Sequence, residues 1–285
     1  MFKALAKWSM DKPLNAILAI VATMFIPLLF WLGAALMALS ILRHGAKEAA
    51  NVVLWGSLPA FAWLAMGDST PLITALGAST LAIILRSSID LRLTLLSASG
   101  IGMLIYFALP ILMPEVLAEV QKQSEVMLAE ALKDNLELWH SIQPKVGPLM
   151  VGALAAVQTM VMVLCLLLAR WWQAAFYNPG GYSEEFHSLR LPIGYAVSVV
   201  LLLVFGSNLP PLISGILPIL IIPLVIAGAS FVHKLVEMKN LGGQWLVAFY
   251  ISVFLFGPYL FTLLIFVSLI DSLIDIRGRL KDTVD

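Results

Sequence analysis

The chain has 285 residues, with 17 Lys and Arg against 17 Asp and Glu and a formal net charge of zero. Hydrophobic residues make up 61% and charged residues 12%, where ordinary globular chains hold about 45–50% and about 25%. That composition excludes a water-soluble helical fold, whose helices need a polar face. The charge balance gives no handle for nucleic acid, and the single cysteine, Cys165, excludes a disulfide framework or a cysteine metal site within one chain.

Lys3, Lys7 and Lys12 precede the first apolar block. The pattern imitates a signal peptide, but the block is too long and more such blocks follow, so a retained first segment is expected. Seven stretches carry no Asp, Glu, Lys or Arg: 13–42, 49–67, 69–85, 93–114, 146–169, 191–233 and 240–270. A charge at the bilayer centre costs several kcal/mol, and roughly 20 apolar residues span the hydrocarbon core. The four stretches between 49 and 169 each fit one crossing. The stretch 191–233 fits two, with the break at Ser207-Asn208-Leu209-Pro210-Pro211. The first and last stretches exceed one crossing and have Pro27 and Pro258 near their middles, where proline kinks a helix. The expected architecture is an all-α, polytopic transmembrane protein: one integral membrane domain, 1–285, with about eight apolar segments and proline-broken first and last segments.

Orientation follows from the cations. If each proline-broken end run leaves the membrane on the side it entered, 14 of the 17 Lys and Arg share one side and only Lys122, Lys133 and Lys145 lie opposite. If both end runs cross once, the split is 9 to 8. The positive-inside rule selects the first arrangement. The expected location is the bacterial inner membrane, with both termini cytoplasmic. Residues 14–26 rise only about 20 Å as a helix, which sets the crossings between six and ten. The final Asp282-Thr283-Val284-Asp285 is no lipidation signal.

Segment 114–145 is the one sizeable polar region, with five Glu, one Asp and three Lys. Leu117, Val120, Met127, Leu128, Ala131, Leu138 and Ile142 fall near helical spacing. An external amphipathic helix, or two, is expected, either lying on the bilayer or covering an external cavity, with re-entry at Pro144 and Gly147. Prolines 210, 211, 218 and 223 make 209–229 an irregular helix. Such a helix is either a kinked packing element or the wall of a substrate site. Ala34/Ala38, Ala78/Ala82 and Gly152/Ala156 are small pairs that permit close helix packing.

The most distinctive string is the cytoplasmic loop 170–190: Arg170, Trp171, Trp172, Gln173, then Tyr177, Asn178, Pro179, Gly180, Gly181, Tyr182, then Glu184, Glu185, Phe186, His187 and Arg190. The Trp and Tyr residues suit a water–lipid interface, and Asn178-Pro179-Gly180-Gly181 is a turn. Glu184, Glu185 and His187 either pair with Arg170 and Arg190 or bind a metal. Their spacing matches no metal motif, so no metal and no cofactor are expected.

This string resembles the YybS-like family of bacterial membrane proteins, a family without an agreed activity. So do Leu42-Arg43-His44-Gly45, Leu241-Gly242-Gly243-Gln244-Trp245-Leu246 and the closing Asp271-Ser272-Leu273-Ile274-Asp275-Ile276-Arg277. That family is similar in helix pattern to the substrate-binding S components of energy-coupling-factor transporters. The resemblance implies a pocket facing outward and separate ATPase and membrane partner subunits.

The remaining chemistry is sparse. Gly-Lys is absent, so the chain is not its own P-loop ATPase. No H-E-x-x-H occurs and no carboxylate pair lies in mid-membrane, so no enzyme is expected. Gln158, Asn208 and Pro218 are the ligand-binding candidates, with Gln158 better suited to bonding a neighbouring helix than a ligand. Asp271 and Asp275 share a helix face. With Arg277 they form either an interfacial anchor or a docking site for a partner subunit. Two functions stand: a small-molecule binding or transport component without its own ATPase, and a non-transport scaffold or assembly factor for envelope proteins.

Overall fold

A computed structural model describes residues 2–281. Asp282–Asp285, named above for what they lack, lie outside them. Every regular element among the described residues is helical. In chain order these are α1 Phe2–Ser9, α2 Pro13–Phe25, α3 Phe30–His44, α4 Ala46–Gly56, α5 Leu58–Ala65, α6 Thr70–Ser88, α7 Leu91–Leu112 and α8 Pro114–Ala131. They continue as α9 Leu136–Tyr177, α10 Gly181–His187, α11 Ile193–Val204, α12 Pro211–Leu220, α13 Ile222–Met238, α14 Gln244–Ile274 and α15 Ile276–Lys281. Five stretches are long and apolar enough to cross a membrane: α6, α7, α9, α12 with α13, and α14. Helices α2, α3 and α11 are apolar but shorter. The expected count of about eight membrane segments is therefore not carried by length alone.

The chain divides into two compact units. One is Met1–Tyr182 with Pro210–Ile219; the other is Ser183–Leu209 with Leu220–Asp285. In the first unit α3 is the central element, packed on α2, α6 and α9. Its residues from Leu32 to Leu42 are all buried, as an all-round apolar helix requires. The small pairs sit inside this packing: Ala34, Ala38, Ala78 and Ala82 are all fully buried.

Pro27 does what the sequence suggested. Helix α2 stops at Phe25 because proline disfavours helical backbone in the residue before it, and Ile26 is extended. The chain turns through Leu28, at φ 66°, and α3 runs back along α2. Lys12 and His44 therefore end beside one cleft. The turn is held by Trp63 Nε1, which donates to the Met24 carbonyl at 3.0 Å.

The prolines inside α9 behave differently. Pro144 and Pro148 lie inside α9 without breaking it, so the polar segment and the apolar stretch that starts at 146 share one continuous helix. Pro144 costs only one helix hydrogen bond, and the carbonyl it frees, on exposed His140, is open to water. At 42 residues the helix is about 63 Å long, twice a hydrocarbon core of ~30 Å. Its first turns extend past the apolar stretch and pack against α8. Helix α8 has no buried residue, in keeping with a surface helix. Glycine is required where α9 meets α12: a side chain on Gly152 would run into the Gly215 carbonyl.

In the second unit α13 packs on α14. The irregular helix expected over 209–229 is broken at Ile221, between Pro218 and Pro223. Helix α14 loses helical geometry at Phe256, φ −122° and ψ 29°, two residues before Pro258. Tyr250 and Arg277 would stand about 40 Å apart along a straight helix. Yet Tyr250 Oη lies 2.8 Å from His233 Nε2 and Arg277 Nη1 lies 3.1 Å from Ser230 Oγ, both on α13. The run must bend, and it starts and ends beside the C-terminal half of α13.

Candidate functional site

The Leu42–Gly45 string, the 170–190 loop and the closing Asp271–Arg277 string contribute to two polar assemblies, one in each unit. In the first unit, the Leu42–Gly45 string ends α3. Gly45 caps it at φ 97°, its N–H donating to Ile41. The last helix carbonyls lack intrahelical donors, and here the Leu42 carbonyl accepts from Arg86 Nη1 at 2.5 Å and from Gln173 Nε2 at 2.9 Å. Arg170 donates to Gln173 Oε1 at 3.3 Å, which orients that amide. The Arg43 guanidinium lies 3.9 Å from the centre of the Tyr177 ring, a cation–π contact. Lys3 lies 6.0 Å from the Trp171 ring. Trp172, expected at the interface, is instead fully buried, and its indole N–H has no hydrogen-bond partner among the described residues. Asn178, Pro179 and Gly180 form the exposed turn, with Gly180 at φ 92° and Gly181 opening α10.

In the second unit, the end of the loop is tied to α13 and to the closing string. Arg277 is the hub. Its Nε lies 3.0 Å from Asp271 Oδ2, and the two side chains are 10% and 2% exposed. Its Nη1 donates to the His187 carbonyl at 2.6 Å and its Nη2 to the Ala227 carbonyl at 3.3 Å. Burial pulls the Arg277 guanidinium down from the usual arginine range, and Asp271 beside it works in the opposite direction. Arg190 pairs with Asp275 at 3.3 Å and donates to the Ser272 carbonyl at 3.1 Å. Asp275 caps α14 in the left-handed conformation, φ 49°. His187 Nδ1 lies 3.0 Å from Glu237 Oε2, which Lys234 also reaches at 2.6 Å. So Asp271 and Arg277 hold the fold from within, while Asp275 remains half-exposed. Glu184 is exposed. Among the described residues no three His, Cys, Asp or Glu side chains gather at metal-binding range.

Of the ligand-binding candidates, Gln158 is buried, and its Oε1 accepts from Thr74 Oγ1 at 3.1 Å, a bond between α9 and α6. Pro218 is half-buried in α12. Asn208 is exposed in a short 3-10 turn.

The sequence reading passed over a cleft of about 270 Å³ in the first unit. Its mouth carries Asp11, Lys12, His44 and Glu48, all exposed. Its floor is Ala16, Ala49 and Val52, with the buried hydroxyls of Ser9 and Ser40. Both serines donate to carbonyls of their own helical turns, which leaves their oxygens free to accept. The four mouth side chains form no hydrogen bond or ion pair among the described residues. The signal lay in the hairpin itself: folding 13–42 back on itself brings Lys12 to His44. The cleft sits at the end of the unit where Arg43 and Arg86 gather around Leu42.

Apolar helices of membrane-crossing length, repeated along one chain, define a multi-pass helical integral membrane protein. No family model, no curated protein and no solved structure matches the chain.

Proposed function

We propose that this protein is the membrane-embedded binding or transport component for a small molecule, energised by separate subunits. The cleft at the end of α2 and α3 carries the reading. A concave site with an apolar floor and a few converging polar groups is what ligand recognition requires, and the uncommitted charges at its mouth have no structural partner to explain them. The resemblance to YybS-like proteins, and through them to S components, suggests a binding role as well, but it implies a pocket on the outward face, so the cleft carries the reading alone. The absence of a Gly-Lys phosphate loop supports a partner ATPase. In this reading the chain sits in a bacterial inner membrane with the cleft facing the cytoplasm, and it catalyses no reaction.

The test is a thermal-shift screen of the purified protein against amino acids, phosphorylated metabolites, vitamins and nucleobases. A ligand present at 100 times its Kd stabilises by about 2.7 kcal/mol. At the same ligand concentration the stabilisation should fall to about 1.4 kcal/mol in Glu48→Gln or Lys12→Gln, as a tenfold weaker Kd requires. No shift from any class would sink the binding role.

One observation favours the second reading, a scaffold or assembly factor for envelope proteins. Helix α14 keeps little of its length buried, and Phe254, Tyr259 and Leu255 are 89%, 76% and 63% exposed. Lipid covers such a face in a bilayer, and a partner helix would cover it equally well. Co-purification in mild detergent separates the two: stoichiometric envelope proteins without a ligand support the scaffold.

A further inference from the structure

The cleft also constrains what enters it. Asp11 and Lys12 come from the α1–α2 turn, His44 from the end of α3 and Glu48 from the first turn of α4. Opposite charges thus line one cavity without pairing across it. A lone anion there meets two carboxylates, and a lone cation meets an ammonium. Like-charge juxtaposition of this kind is how sites reject wrong partners. A molecule with both charges satisfies all four groups. Volume narrows the class further, because about 270 Å³ lies just below the usual small-molecule range of roughly 300–1,000 Å³.

Resting on the reading of this cleft as the ligand site, we propose that it takes a compact zwitterion: a primary ammonium and a phosphate or carboxylate a few atoms apart. Asp11 and Glu48 accept from the ammonium, and Lys12 and His44 donate to the anion. The apolar floor contacts the short linker between them. The same chemistry occurs in free metabolites and in phosphatidylethanolamine headgroups. Helix α1 beside the cleft exposes Phe2 and Trp8 along with Lys3 and Lys7, a composition suited to the bilayer surface, so either source can reach the mouth.

The experiment uses the full chain in detergent, titrated with O-phosphoethanolamine, inorganic phosphate and ethanolamine. O-phosphoethanolamine should bind at least tenfold more tightly than either half. Glu48→Gln and Lys12→Gln should each weaken it about tenfold, while exposed Glu130→Gln leaves it unchanged. In a parallel arm, the protein is offered phosphatidylethanolamine or phosphatidylglycerol in mixed micelles and examined by native mass spectrometry. Selective retention of phosphatidylethanolamine, lost in Glu48→Gln, supports the proposal with a lipid source. Binding of the free compound without lipid retention supports it with a soluble source. Phosphate or ethanolamine alone binding as tightly overturns the zwitterion. If another compound from the thermal-shift screen binds in a Glu48-dependent way while no zwitterion does, the site reading survives and this ligand class fails. No binding in any arm overturns both.

Discussion

Replacing Arg277 with Met tests whether the closing string is structural. The substitution keeps the bulk of the stem and removes the guanidinium. Asp271, 1% exposed as a residue, would then be a buried carboxylate without its cation, with Oδ1 already lacking a hydrogen-bond partner among the described residues. Breaking a buried pair by removing one member costs about 3–5 kcal/mol. The His187 and Ala227 carbonyls lose a donor as well, so the upper half of that range is expected. At about 2–4 °C per kcal/mol, the melting temperature in detergent should fall by roughly 10–20 °C. The double variant Arg277→Met with Asp271→Leu should recover much of the loss, because it leaves no lone charge. The exposed neighbour Arg279→Met should cost almost nothing. A single variant no worse than Arg279→Met, or a double variant worse than the single, would refute the buried pair.

Three further outcomes follow from the geometry. Gly152→Ala should cost about 1–3 kcal/mol, the usual range for overpacking, because the new methyl meets the Gly215 carbonyl; an unchanged melting temperature would contradict that close crossing. Gln158→Leu should cost roughly 0.6–1.7 kcal/mol, as for a bond between membrane helices, and should leave any ligand-induced shift intact; loss of the shift would make Gln158 a ligand residue. Asp90 caps α7 from the α6–α7 connection. Burial alone would raise its pKa, but hydrogen bonds from the Arg92 side chain and from the backbone of Arg92 and Leu93 outweigh this and hold the carboxyl below its ordinary value. Its stabilisation is then complete above the unfolded pKa of about 3.9 and is lost as the pH falls through the lower folded value. The melting difference between wild type and Asp90→Asn should therefore be constant from pH 8 to pH 5 and shrink below about pH 4; a difference that grows on acidification would contradict the cap.

The bilayer setting was legible because it depends on composition and run length, and the helical core followed from it. Ala34, Ala38, Ala78 and Ala82 were readable as packing residues for the same reason. Proline proved readable only with its surroundings. Pro27 and Pro258 interrupt their helices, whereas Pro110 and Pro148, also within apolar stretches, lie inside α7 and α9 without breaking them, and Pro144 sits where water can satisfy the freed carbonyl. The 170–190 loop was visible as a string, but its partners were not. Glu237, Ser230 and Asp271 lie on elements distant in sequence, and no local period encodes a long-range pairing. Trp172 shows the same limit, since adjacent helix positions point 100° apart and only the packed neighbours decide which tryptophan is inside. The cleft was hidden because each of its charged residues looks like an ordinary solvated end of a helix.

Side-specific labelling tests the account at its root. In a Cys165→Ala background, Lys47→Cys stands at the basic end beside the cleft and Lys133→Cys follows α8 at the other. Spheroplasts exposed to a membrane-impermeant maleimide should label Lys133→Cys at once and Lys47→Cys only after the membrane is permeabilised. Labelling of Lys47→Cys in intact spheroplasts, with Lys133→Cys protected, would place the cleft outside the cell and contradict the account.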